Sequence, residues 1–318
     1  MIIIYDTILL ICTQETFEAL SRFFIRGEHA MKEYKNSNEL LDYIILKGVS
    51  VNNKEDTLNK FKTYSYYSII NTYKDVFKNI NNEYKKNVSF DEIYALFEFD
   101  KNLRSIFLKY SLEIEIILKS LLAETISSRY GIKNYLIKEN FDDTVSEKII
   151  TESINVIEEE ICKQNGKHEA VTHYIDKYGF VPPFVLTKIL TFGKLSRLYA
   201  MLKQSDRQCI SKNFKLSDKV LKQIIINITM IRNICAHNDR LFSFHSKFRI
   251  SFKYIQKNYH EKSVNIYMIM KCMESLLPKE KKKVFIKLIN NEIKILDSKL
   301  SSMEIDNILK IMGFYKNN

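Results

Sequence analysis

Apolar residues recur three and four positions apart along most of the chain, which is the spacing of one face of an α-helix. In the stretch SNELLDYIILKGVS, Leu40, Leu41, Ile44 and Ile45 follow this spacing, and Gly48 ends it. The next stretch, EDTLNKFKTYSYYSIINTYKDVF, continues the pattern over residues 55–77. The hydrophobic pattern therefore predicts an all-α fold.

The longest run of helical spacing extends from about Ser89 to Tyr130. Ser89 is a suitable N-cap because acidic residues follow it in the first turn, and Gly131 is a suitable stop. The acidic stretch 98–100 leaves open a division of this run into two helices.

Three further stretches complete the helical prediction. Residues 139–179 predict a helix, a polar loop at 165–167 and a shorter helix. Pro182 and Pro183 open one mostly apolar helix, FVLTKILTFGKLSRLYAML, with Gly193 in its middle. Ser217 caps a helix with a core-facing stripe formed by Leu221, Ile224, Ile228, Ile231 and Cys235.

The amino-acid composition also favours helices over strands. Only 7 Gly and 3 Pro occur among 318 residues, too few turn residues for a many-stranded sheet. We predict an all-α helical bundle in three parts. Residues 1–88 form an N-terminal helical segment, 89–245 a helical core, and 246–318 a basic helical portion packed on that core.

The cysteines and the N-terminus favour a cytoplasmic protein. The five cysteines are scattered, without a C-x-x-C pair, which is typical of a reducing compartment and gives no structural zinc site. The apolar segment from Ile2 to Cys12 is interrupted by Asp6 and is too short to span a bilayer. We interpret it as one face of a first helix or as a short buried strand.

The net charge of +11 favours a polyanionic partner such as RNA. From Leu241 to Asn318, 15 Lys and Arg oppose 7 Asp and Glu, so this last quarter holds about +8 of the charge. The plainer interpretation is that these lysines are simply solvated. Candidate RNA contacts are Lys279, Lys281, Lys282 and Lys283, although such a run is more often a solvated helix start. Four tyrosines could stack bases but are more often core residues: Tyr64, Tyr66, Tyr67 and Tyr73.

The stretch MIRNICAHNDRLF, residues 230–242, crowds polar side chains at the end of an apolar helix. At roughly 100° per residue, Asn233, His237 and Arg240 fall together, whereas Arg232 lies about 140° away from His237. Either the helix loosens near His237 or a second copy of the chain brings the two side chains to one phosphate.

The pattern Arg232-Asn233-x3-His237 resembles the catalytic signature of HEPN-type ribonucleases. RNICAHNDRLF is similar to the Arg-Asn-x-x-Ala-His-His-x-Arg-Leu-Trp segment of the abortive-infection (Abi) branch. Two more stretches, starting at Phe97 and Val181, resemble that branch, and the resemblance covers about residues 37–244. The chain departs from the pattern at Ser68, Lys119 and Phe242.

The resemblance implies a HEPN-like helical bundle with additional N- and C-terminal helices. It also implies a metal-independent endoribonuclease in which a ribose 2′-OH attacks the adjacent phosphate, giving 2′,3′-cyclic phosphate and 5′-hydroxyl ends. His237 would transfer protons, Arg232 would hold the phosphate oxygens, and Asn233 would orient one of these groups. Arg240 is a supporting residue, and Glu115 either supports an arginine or forms a plain salt bridge. The resemblance also implies a composite site in a homodimer, because Arg22 to His29 lacks the context of a second motif.

The implied biology is anti-phage abortive infection, in which a toxin arrests the infected cell by cutting RNA. An inhibitory or guide-like small non-coding RNA is an expected partner beside the RNA substrate. We expect no cofactor, no membrane partner and no metal, since His168 and His173 lack further ligands at suitable spacing. The alternatives are a non-catalytic RNA-binding protein that uses the motif as a phosphate clamp, and a helical scaffold.

Overall fold

The computed structural model describes residues 34–251 and 263–314, and these ranges form an all-α protein, as predicted. The segments Ile2–Cys12 and Arg22–His29 lie outside the described residues. The first half contains α1 (Ser37–Leu46), α2 (Lys54–Tyr64), a π-helical turn (Tyr67–Asn71), a 3-10 turn (Lys74–Phe77), α3 (Phe90–Tyr130), a 3-10 turn (Lys138–Asn140), α4 (Glu147–Gln164) and α5 (Glu169–Tyr178). The second half contains α6 (Pro183–Ile189), α7 (Phe192–Met201), α8 (Gln204–Lys212), α9 (Asp218–Ala236), β1 (His245–Ser246), β2 (Val264–Asn265), α10 (Ile266–Leu276), α11 (Lys279–Asp297) and α12 (Ile305–Met312). The two short strands pair antiparallel.

Helix α3 is the spine of the molecule, roughly 60 Å long at 1.5 Å per residue. Ser89 caps it in a reciprocal capping box with Glu92, and Gly131, at φ +79°, follows its last turn. The predicted caps are therefore confirmed. The helix is not divided at 98–100, because the carboxylate of Asp100 finds its hydrogen-bond donors inside the fold.

Two helix predictions need correction. The apolar stretch after Pro182 forms two helices, α6 and α7, because Thr191 caps the second by accepting from the Lys194 N–H at 3.4 Å. Gly193 lies in the first turn of α7 and not in the middle of one helix. Likewise, α2 ends at Tyr64, because its C-cap residue Ser65 adopts φ +63° and breaks the helix before the π-helical turn.

One hydrophobic core extends from Leu41 to Met312 and includes residues of all three predicted parts. Helix α3 packs against α6, α9 and α11. The predicted core stripe of α9 is buried along its whole length. The N-terminal end of α3 is also tied to the loop before α12, because Glu92 accepts hydrogen bonds from the N–H groups of Ser301 and Ser302 at 2.7 and 2.6 Å.

The four tyrosines of the second predicted helix divide between core and surface. Tyr73 is buried, Tyr64 and Tyr66 are half-buried, and Tyr67 is 71% exposed. No helix in the described ranges combines the length and the apolar character that crossing a lipid bilayer requires.

Candidate functional site

The candidate site lies where α9 ends. The N–H of His237 still donates to the carbonyl of Asn233 at 3.0 Å, so His237 keeps the helical register. The chain turns at the next residue, because Asn238 adopts φ +60° and the Asp239 N–H closes back on Ile234 at 3.1 Å. The helix therefore does not loosen before His237, and the angular separation of Arg232 and His237 is that of a regular helix.

A buried carboxylate anchors the chain just beyond this turn. Asp100 of α3 accepts from the N–H of Leu241 at 3.2 and 3.1 Å and from the N–H of Phe242 at 2.7 Å. It also pairs with the Arg104 guanidinium at 2.6 Å and accepts from the Tyr73 hydroxyl at 2.7 Å. Asp100 thus fixes the segment that follows His237 to the spine of the molecule.

Opposing effects act on the pKa of the Asp100 carboxyl group. Burial raises this pKa above its ordinary value, whereas Arg104, Tyr73 and the two backbone N–H groups favour the charged form and limit the rise. Every neighbour that contacts the carboxylate oxygens is a donor. Burial, and then the charge of Asp100, raise the pKa of Tyr73, so its hydroxyl stays protonated and donates.

Arg240 clamps the segment after α9 to the residues around the second short turn of the chain. It donates to the carbonyl of Thr72 at 2.7 Å and to Asp75 Oδ1 at 2.8 Å, and its guanidinium lies 4.5 Å from the centroid of the Phe242 ring. Because α9 ends at Ala236, the helical wheel does not extend to Arg240. Phe242 is fully buried and in turn stacks on Tyr73, with 6.0 Å between ring centroids.

Arg232 and His237 differ in burial and in their hydrogen bonds. Arg232 is half-buried, and its Nη1 lies 3.4 Å from Asn233 Oδ1, which is a weak hydrogen bond. Its Nε is buried and has no hydrogen-bond partner among the described residues. The His237 side chain is exposed, and the Asn233 amide contacts Arg232 instead of the imidazole within the described ranges.

Glu115 lies on α3 and forms an (i, i+4) ion pair with Lys119 at 2.9 Å, as a plain salt bridge would. It forms no ion pair with Arg232 or Arg240 within the described ranges.

The lysine run at the start of α11 is largely matched by acids. Lys281 pairs with Glu113 at 2.8 Å, Lys282 with Glu274 at 3.4 Å, and Lys283 with Glu280 at 3.6 Å. Lys279, Lys281 and Lys283 are exposed, so the interpretation as a solvated helix start fits their surroundings.

No other reactive group within the motif competes with His237. Burial raises the pKa of the Cys235 thiol to about 12, which keeps it protonated and unreactive. In the described ranges, no three His, Cys, Asp or Glu side chains come together in a way that could hold a metal ion.

A family model described as "Abi-like protein" matches residues 59–243, more than half of the chain. The chain belongs to this family. The Abi-like region begins within α2 and ends directly after the anchored Phe242, so it contains Tyr73, Asp100 and the whole Arg232 to His237 motif. No curated protein and no solved structure matches the chain.

The sequence analysis missed the Asp100 anchor. A signal was present, since Asp100 and Arg104 are four residues apart in FEFDKNLRSIF and both interrupt an otherwise apolar face. From the sequence, the same acidic stretch only leaves open a division of the helix. Sequence spacing pairs the two residues but does not show that the backbone of a segment 141 residues away completes the set.

Proposed function

We propose that this Abi-like protein is a metal-independent endoribonuclease whose active site is built from Arg232, Asn233 and His237. One observation supports this most directly. Arg104 is held in a buried ion pair and Arg240 in a partly exposed one, whereas Arg232 forms no ion pair with a described residue and donates only weakly to Asn233. A half-buried cation left unmatched within five residues of an exposed histidine is suited to a phosphate ligand.

The chemistry of these side chains fits RNA cleavage. His237 would accept the proton of a ribose 2′-OH while that oxygen forms a bond to phosphorus. The bond between phosphorus and the 5′ oxygen then breaks, and the imidazolium returns a proton to the departing oxygen. Arg232 would stabilise the charge that builds on the phosphate oxygens, and Asn233 would hold the guanidinium in place.

The regular register of α9 supports a homodimer with a composite site. Arg232 and His237 of one chain face about 140° apart, so each needs a counterpart from a second copy. Arg232→Ala and His237→Ala should each be inactive alone, whereas their mixture should recover about a quarter of wild-type cleavage, because each heterodimer holds one intact site. A mixture as inactive as its components would contradict the composite site.

The biological role we propose is abortive infection, for which the family is named. The protein would act in anti-phage defence as a toxin that arrests the infected cell by cutting RNA. A small non-coding RNA, inhibitory or guide-like, would be its regulator, because the positive charge of the chain attracts RNA outside the active site as well.

The decisive experiment compares purified wild type, His237→Ala and His245→Ala on total bacterial RNA in EDTA, with mapping of new 5′-hydroxyl ends. His245 is a matched control, since it is also exposed and lies eight residues away. Cleavage by wild type and by His245→Ala only would support the proposal. Salt-dependent RNA binding without cleavage by any of the three would favour a phosphate-clamp protein, and neither binding nor cleavage would favour a scaffold.

A further inference from the structure

The outward side of α9 begins with two lysines and leads to His237. Lys219, Lys222, Ile226, Asn233 and His237 are spaced by three, four or seven residues and therefore fall within an arc of roughly 60° on the helix. All five are exposed or half-buried. This side of α9 runs for roughly 27 Å and carries no acidic residue between Lys219 and His237.

The segment after β1 lies along the same helix and adds to this charge. Asn227 of α9 donates to the carbonyl of Phe248 at 3.1 Å, and the Ser251 N–H donates to Gln223 Oε1 at 2.9 Å. These bonds fix the segment antiparallel to α9. Its Lys247 and Arg249 side chains are exposed, and the ring of Phe248 between them is 40% exposed.

The cations of this surface differ from the lysines of α11. Lys219, Lys222, Lys247 and Arg249, which we call the basic face, form no ion pair with any residue in the described ranges, whereas three of the α11 lysines do. Four unmatched cations on one surface attract a polyanion strongly. They also disfavour covering this surface with the same surface of a second copy, because like charges would then meet.

We infer that the basic face binds single-stranded RNA and guides it toward His237. This inference rests on the proposed function and specifies its substrate class. The cations of the basic face would contact successive phosphates. Phe248 would stack on an unpaired base, which a strand offers but a paired helix does not. The half-buried Ile226, which lies on α9 between the lysines and His237, would give the strand an apolar contact along the way.

The test measures binding and not cleavage, so all variants carry His237→Ala and are studied in EDTA. The Lys219→Ala/Lys247→Ala/Arg249→Ala variant is compared with Lys279→Ala/Lys281→Ala/Lys283→Ala. Both triple variants remove three exposed positive charges. Affinity for an oligouridine and for an RNA duplex is measured at several salt concentrations, and equilibrium unfolding verifies that each variant is folded.

For the basic-face variant, the slope of log affinity against log salt with oligouridine should fall by about 2, since each lost phosphate contact removes about 0.7. The α11 variant should change this slope by less than half as much. Phe248→Ala should weaken oligouridine binding about tenfold without changing the slope, and should leave duplex binding unaltered.

Equal slope changes in the two triple variants would overturn the inference, as would an unaltered oligouridine affinity of Phe248→Ala. A failure of the proposed function is recognised separately. If His237→Ala cleaved RNA as well as the wild type, the active-site assignment would fail while the binding result would still decide the role of the basic face.

Discussion

Replacing Asp100 with Asn tests whether one buried carboxylate holds the segment after His237 in place. The substitution preserves the size of the side chain and removes its charge. Asp100 is fully buried, and the side chain of its partner Arg104 is only 6% exposed, so water cannot substitute for the lost oxygen. The amide NH2 of an asparagine would face either the guanidinium or the N–H groups of Leu241 and Phe242, all of which are donors.

The magnitude follows from these contacts. Removing one partner of a buried ion pair costs about 3–5 kcal/mol, because the other charge is left uncompensated. We therefore expect Asp100→Asn to lower the free energy of unfolding by at least about 3 kcal/mol, a large share of the roughly 5–15 kcal/mol of a typical domain. Tyr73→Phe removes the hydrogen bond that the hydroxyl donates to the same carboxylate and the weaker one that it accepts from Arg104 at 3.2 Å, and should cost about 1.5–3 kcal/mol.

Urea denaturation followed by far-ultraviolet circular dichroism measures both effects and their coupling. Because Tyr73 and Arg104 share one carboxylate oxygen, the double variant of Asp100 and Tyr73 should lose less than the sum of the single losses, by about 0.5–3 kcal/mol. A loss below about 1 kcal/mol for Asp100→Asn, or strict additivity, would refute the anchor. If the variant folds, its RNA cleavage should still fall, since the segment beyond His237 is no longer fastened.

Two further predictions concern stability. Gly313→Ala should lose about 3 kcal/mol of unfolding free energy, because a Cβ at φ +92° would collide with Nδ2 of the buried Asn265, which caps α10. Gly179→Ala, at φ +74° with no atom within 4 Å, should lose only about 1 kcal/mol. Equal urea midpoints for the two variants would contradict this. The hydrogen bond from Lys194 holds the pKa of Glu160 below its ordinary 4.5 against the opposing effect of burial. The ionised Glu160 therefore stabilises the fold above pH 4.5, and this stabilisation disappears as the pH falls through the lowered pKa. Glu160→Gln should therefore destabilise the protein by up to about 1 kcal/mol at neutral pH and less at low pH, and a loss independent of pH in thermal unfolding would contradict the pairing.

The fold was predictable where local chemistry decides it. Ser89, Gly131 and Ser217 mark helix ends because caps depend on the backbone groups of a single turn. The predictions failed where apolar spacing continued across a break. At Thr191 a hydroxyl caps a new helix inside an unbroken apolar run, and at Ser65 a positive φ ends α2 while the tyrosine spacing goes on. The spacing of apolar residues shows which side of a helix is buried, but it does not show where one helix ends and the next begins.

The sequence names the residues of the candidate site but not their contacts. Arg232, Asn233 and His237 are named because their motif and its flanking stretches resemble a known family pattern. Their surroundings depend on contacts between residues far apart in the chain, and these decide which charges are already matched. Arg240 donates hydrogen bonds to Thr72 and Asp75, which lie more than 160 residues earlier in the chain. Lys281 pairs with Glu113, 168 residues earlier. No local pattern contains that information.

Ion pairs between distant residues also change which basic residues of this protein are expected to bind RNA. The sequence places the densest run of lysines at the start of α11, where charge alone favours an RNA site. In the folded chain three of those four lysines form ion pairs with acids, while the sparser cations around α9 form none within the described ranges. Polyanion affinity depends on charges that remain unmatched after folding, because each matched cation must lose its partner before a phosphate replaces it. We therefore expect RNA to bind at α9, the helix that carries Arg232 and leads to His237, and not at α11.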